Sequence, residues 1–98
     1  MPIEQRASRD FWKLLEHLPR EHQDLARKRF KSFCLEDPRH PALRGKFVPD
    51  KALAGTQVWR VDAGANNRAL AIYSKSGALE IFSWYWIGSH ETYNDRLG

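Results

Sequence analysis

The sequence predicts an α+β fold, with two N-terminal helices ahead of a mainly antiparallel sheet and a short helix at the end. Three observations predict it. Apolar residues recur at helical spacing only in the first third of the chain. Three segments of strand character follow one another in the second half. The stretches between those segments are too short to hold crossover helices, so neighbouring strands must run antiparallel.

Ile3–Arg6 opens the chain as a candidate short edge strand, although Ile3 is its only strongly apolar residue. Ser8 is placed to cap the first helix, in which Phe11, Leu14, Leu15 and Leu18 fall at i, i+3, i+4 and i+7 and so share one face. Pro19 ends that helix and can open the next, because a proline in the first turn loses no needed hydrogen bond. The second helix is expected over 20–35, with Leu25, Ala26, Phe30, Phe33 and Cys34 facing inward and its basic residues late, where the helix dipole favours them. The run Asp37-Pro38-Arg39-His40-Pro41 breaks it. Residues 44–48 read as a poor strand or an ordered loop. Strands are expected over 57–62, 68–73 and 78–87, separated by Gly64-Ala65-Asn66-Asn67 and Ser74-Lys75-Ser76-Gly77. The last strand is apolar on both alternations, with Leu79, Ile81, Tyr85 and Ile87 on one face and Phe82, Trp84 and Trp86 on the other. A central strand covered on both sides has that pattern. Helices would cover one face, and part of the other would form a groove. His90–Leu97 is expected to add one or two helical turns.

Ninety-eight residues, 42% of them hydrophobic and 29% charged, suit one core and no second domain, so 1–98 is expected to form one unit. Cys34 is the only cysteine, which excludes an internal disulfide and fits a reducing compartment. The first residues carry no apolar run of signal-peptide length, and the stretch around Ile81–Ile87 is too short to span a bilayer. The expectation is a cytoplasmic protein with no membrane partner.

The formal charge of +4 is unevenly placed. Residues 1–49 hold 11 Lys/Arg against 7 Asp/Glu, whereas residues 50–98 hold 5 of each. Seven basic side chains fall within 27–46, beside only Glu36 and Asp37. Such a patch can neutralise phosphates and release counterions. A solvated helix face is the other reading of the same charge.

Several chemistries find no support. His17, His22, His40 and His90 lack metal-ligand spacing among themselves or with Cys34, and neither a GxxxxGK[ST] loop nor a GxGxxG is present. No cofactor and no metal are expected. A cluster at the sheet remains. Arg60 lies within Val58-Trp59-Arg60-Val61, Arg68 opens the next strand, and His90 and Tyr93 are three residues apart on a helical turn, so they can face the same way. Metal-free RNA cleavage needs these parts: a base for the 2′-hydroxyl proton, cations for the charge on phosphorus, and an acid for the leaving oxygen. Arginine can hold phosphate through paired hydrogen bonds. Each residue also has a plainer reading, as an ion-paired arginine or a surface-packed His-x-x-Tyr. Trp84 and Trp86 read as core, groove walls or base-stacking platforms.

His40-Pro41-Ala42-Leu43-Arg44, Val58-Trp59-Arg60-Val61, Arg68-Ala69-Leu70 and Trp86-Ile87-Gly88-Ser89-His90-Glu91-Thr92-Tyr93 together resemble the RelE/ParE superfamily of prokaryotic toxin–antitoxin toxins. The resemblance extends to the opening Phe11-Trp12-Lys13-Leu14-Leu15 helix and its Leu18-Pro19 end. It implies two helices on a twisted, mainly antiparallel four-stranded sheet. By matching position it implies that Arg60, Arg68, His90 and Tyr93 are catalytic, the arginines binding phosphate and His90 and Tyr93 positioning substrate or moving protons. Arg44 and Lys46 would be further RNA-binding cations, and Trp84 and Trp86 RNA-binding aromatics. The implied activity is metal-independent cleavage of mRNA, on the ribosome or off it, restrained by a cognate antitoxin. Poisoning of DNA gyrase, or non-catalytic binding on the same fold, are the alternatives. The sequence departs from the pattern in its polar first strand and in Asn67, which stands where relatives often carry an apolar or aromatic residue.

Overall fold

The structure, a computed structural model, describes residues 2–50, 53 and 55–97. In chain order its elements are β1 (Ile3–Ala7), α1 (Arg9–Glu16), α2 (Arg20–Arg29), a 3-10 turn (Pro41–Leu43), β2 (Lys46–Val48), β3 (Val58–Gly64), β4 (Asn67–Ser76), β5 (Leu79–Ser89) and α3 (His90–Leu97). The Ser8 hydroxyl accepts from the Phe11 amide and so caps α1. The segment after α2 does not continue as α-helix: Phe30–Cys34 widens into a π turn in which the Leu35 amide donates to the Phe30 carbonyl.

The sheet has five strands in the order β1-β5-β4-β3-β2, one more than the four expected. Residues Lys46–Val48 pair antiparallel with β3, and Ile3–Ala7 pair parallel with Glu80–Trp84 of β5. The polarity of β1 follows from its place at the edge. Gln5 turns inward, where its amide donates to the Cys34 carbonyl at 2.6 Å and accepts from the Trp84 indole at 2.9 Å. A half-buried glutamine that satisfies two partners explains why this edge strand carries a polar residue there.

On one side of the sheet Phe11 and Leu15 of α1 and Ala26 of α2 pack against Trp59, Val61, Ala63, Ala69, Ala71, Phe82, Trp84 and Ile87. Leu25, expected in this core, is 38% exposed and instead covers Gly64, whose missing side chain makes room for it. Leu14, Leu18, Phe30 and Phe33 are only partly buried at the core's margin.

The alternation expected along β5 fails at one residue. Leu70 pairs with Trp86 but Ala71 pairs with Trp84, so Tyr85 is an extra residue in a β-bulge. A bulge shifts the in–out parity of everything beyond it. Ile87 therefore joins Trp84 on the helix side, while Trp86 packs on the far side with Val58, Leu70 and Tyr93. Phe82 and Trp84 do share a face, but Trp86 does not lie with them. The far side holds Lys46, Val48, Val58, Arg60, Asp62, Arg68 and Leu70, and α3 covers part of it through Tyr93. No helix among the described residues is long and apolar enough to cross a membrane.

Candidate nucleic-acid interface

The sheet register aligns the cations on the far face. Lys46 sits opposite Arg60, Arg60 opposite Leu70, and Leu70 opposite Trp86, forming one row across four strands. In the next row Asp62, Arg68 and Gly88 are opposite one another. Arg60 and Arg68 are thus diagonal neighbours on adjacent strands, about 7–8 Å apart at the backbone.

Each guanidinium is positioned by its own surroundings. Arg60 lies over the Tyr93 ring, 5.8 Å from its centroid, and donates to the Arg44 carbonyl at 3.2 Å. That carbonyl is aimed by the Arg44 backbone, which adopts a left-handed conformation (φ 50°) after the 3-10 turn. The His40-Pro-Ala-Leu-Arg44 motif is therefore structural as well as basic. The His40 ring nitrogen accepts from the Ala42 amide, Leu43 is buried, and the turn's end holds Arg60. Arg68 donates to the Asn67 carbonyl at 3.0 Å and lies 3.8 Å from the Asp62 carboxylate. The Nε of both arginines is buried without a hydrogen-bond partner among the described residues, so neither guanidinium is fully committed inside the protein.

The β3–β4 hairpin and α3 meet beside these arginines. Ala65 and Asn66 both have positive φ, as a tight type I′ hairpin turn requires, and Ala63 is an extra residue before it. Asp62 accepts from the Gly64 amide at 2.8 Å, which closes the bulge. The Asn66 carbonyl then accepts from the His90 amide at 2.8 Å and fixes the start of α3. His90 stacks on Tyr93 with ring centroids 6.3 Å apart, and its Nε2 is 3.2 Å from the Asn94 amide. His90, Tyr93, Arg60 and the Arg44 carbonyl form a continuous chain of contacts. Asn67, where an apolar residue was the pattern, is buried and 3.2 Å from the His22 ring.

The structure thus brings Arg60, Arg68, His90 and Tyr93 together, with Lys46 and the Arg44 backbone beside them and Trp86 at the end of the row. Trp84 is elsewhere. It is 4% exposed, wedged against Phe11 and Phe30 and bonded to Gln5, so it belongs to the helix-side core and offers no stacking surface. Not all of the basic stretch at 27–46 is free of partners within the protein either. Arg29 donates to the carbonyls of Asp62 and Ala42, and Arg39 pairs with Glu80. Sequence reasoning missed Asp62, the acidic partner of Arg68. Its place two residues after Arg60, beside a turn, was the available signal. No group of three or more His, Cys, Asp or Glu side chains able to hold a metal occurs among the described residues.

A five-stranded sheet with helices on one side and Lys46, Arg60 and Arg68 on the other defines the chain as a small α+β protein. No protein family profile matches the chain, and no curated protein does. Among solved structures, a chain in the crystal structure of the archaeal RelE–RelB complex from Pyrococcus horikoshii OT3 shares the fold. The TM-score is 0.60 over 92% of this chain and 97% of that one, at 12% identity.

Proposed function

We propose that this protein is the toxin of a toxin–antitoxin pair, a one-domain endoribonuclease that cuts mRNA on its open sheet face without a metal. The observation that carries this reading is the juxtaposition of two incompletely paired arginines with His90 and Tyr93 on the uncovered side of the sheet. Arg60, Arg68 and Lys46 would hold the scissile phosphate and offset the charge that builds on it. One proton-transfer group takes the 2′-hydroxyl proton as that oxygen attacks phosphorus. The bond to the 5′ oxygen then breaks, and a second group returns a proton to the leaving oxygen. His90 and Tyr93 would make these two transfers, a reading supported by the stacking of their rings beside Arg60. Tyr93 has a further task, since its ring is the platform on which the Arg60 guanidinium rests.

Support for an antitoxin comes from the fold shared with a chain of the RelE–RelB complex and from a second surface. A groove of about 250 Å³ between β1, α1 and α2 is lined by Phe11, Trp12, Leu15, Phe30, Leu35 and Trp84, with Arg6 and Arg27 at its rim. Trp12 and Leu35 are 46% and 66% exposed there. An apolar segment with acidic flanks would cover both the rings and the charges.

Two assays after induction of this chain test the reading: mapping of transcript 5′ ends, and DNA supercoiling. New 5′ ends in many transcripts with supercoiling unchanged are expected. Intact transcripts with stalled gyrase would move the protein to the gyrase-poison class.

A further inference from the structure

Between α1 and the end of β5 runs a second groove, outside the cluster of Arg60, Arg68 and His90. β1 pairs with β5 only as far as Trp84, so among the described residues the end of β5 has no strand neighbour on that side, and α1 runs alongside it. The wider part of the groove, about 600 Å³, is lined by Asp10 and Lys13 of α1, by its C-cap His17, and by Tyr85 and Trp86 of β5. It continues along Leu14 and His17 to Gly88 and Thr92. Its volume is in the range of about 300–1,000 Å³ usual for small-ligand sites.

The lining is of two kinds. One wall is the Trp86 indole, which the bulge at Tyr85 turns away from the helix-side core. That ring is held in place: a Cβ at Gly88 would lie 2.7 Å from Trp86 Cζ2, so the indole rests directly on the Gly88 backbone. The opposite wall is polar and exposed. Lys13 and His17, the C-cap of α1, are one helical turn apart, and Asp10 lies one turn before Lys13. An aromatic ring that lines one groove with a donor, an acceptor and a cation supplies the groups that recognition of an unstacked base requires.

We propose that this groove is a nucleobase subsite, in which a base stacks on Trp86 while His17 and Asp10 bond its edge and Lys13 meets the adjoining phosphate. The proposal rests on the reading of the open face as an RNA site. Trp86 ends the row that begins at Lys46 and Arg60, two strand spacings or about 10 Å from Arg60. A single strand held on the arginines therefore delivers a nearby base to the groove. A paired duplex cannot, because its bases are stacked on one another.

The test is equilibrium binding of a single-stranded 2′-O-methyl RNA octamer, which cannot be cut, with one abasic nucleotide moved through each position in turn. In the unmodified protein one position should cost about ten- to a hundredfold in affinity, the usual scale of base–aromatic stacking. In Trp86→Leu the parent RNA should bind weaker by that same factor, and the abasic position should no longer matter. The double variant Lys13→Ala/His17→Ala, on an exposed helix face, should weaken the parent RNA more than Lys28→Ala/Lys31→Ala does. It keeps the test valid if Trp86→Leu unfolds. A flat abasic scan with RNA still bound overturns the groove and leaves the RNA reading standing. Absence of RNA binding at any position overturns both. If adenosine monophosphate binds as tightly as the octamer and loses affinity in Trp86→Leu, the ligand is a free nucleotide and the assignment to RNA falls.

Discussion

The Arg39 guanidinium donates to both carboxylate oxygens of Glu80, and the Tyr73 hydroxyl donates to one of them at 2.7 Å. Arg39 also lies over the rings of Phe82, Tyr73 and Trp59. Its hydrogen bonds, and then that of Tyr73, hold the Glu80 carboxyl below its ordinary range. A carboxyl depressed on folding stabilises the protein above the unfolded value, about pH 4.3, and loses that contribution as pH falls through the lower folded value. Melting temperature followed from pH 6 to pH 2 should thus show a steep acid limb in the native protein. In Glu80→Gln the limb should be shallower and the curves should converge at the acid end. Parallel curves would mean that the pair contributes nothing. The site residues separate in the same way. Tyr93 is 5% exposed and packs with Val58 and Leu70, so Tyr93→Ala should cost about 3–5 kcal/mol, as large aromatic truncations do. Tyr93→Phe keeps the ring under Arg60 and removes only the hydroxyl. It should leave the melting temperature nearly unchanged while RNA cleavage falls about 10²–10⁴-fold. Full activity in Tyr93→Phe would reduce Tyr93 to a platform.

At the scale of elements, α1 shows how much was legible. Its spacing and its Ser8 cap were readable because a helix face and a capped end are local properties. Leu15 is 3% exposed, and Leu15→Ala should lower stability by about 2–5 kcal/mol in denaturant unfolding. An unchanged midpoint would contradict the assigned face. Leu25 was not legible, because the close approach of Gly64 to α2 is a long-range fact that no helical periodicity encodes. The bulge at Tyr85 was hidden for a different reason. In a strand apolar on both alternations, a parity change alters no hydrophobic pattern, so Trp84 and Trp86 read as one face when they lie on opposite ones. What Tyr85 does became visible only with its partner: its hydroxyl donates to the buried carboxylate of Asp50 at 2.6 Å. The pairings of the two outer strands were weak in sequence because β2 is three residues long and β1 is mostly polar.

For the molecule as a whole, the helices cover one side of the sheet and leave Lys46, Arg60 and Arg68 on the other. The charge excess of the first half is divided between structure, in Arg29 and Arg39, and surface, in Arg44 and Lys46. Of the proposed site residues, Arg60 stood out in the sequence because an arginine inside an apolar strand is conspicuous, and His90 and Tyr93 because of their three-residue spacing. How they are held was not readable, since the Asn66 and Arg44 carbonyls act through backbone geometry and the Asp62 carboxylate acts across the strand register. The most direct test of the central claim is a translating extract given a defined mRNA and the purified protein, with cut ends mapped by primer extension. The native protein should produce discrete cuts, Arg60→Ala and Arg68→Ala should abolish them, and Lys75→Ala, on the far stretch of β4, should cut normally. An mRNA left intact by the native protein, or cut equally by the two arginine variants, would contradict the account.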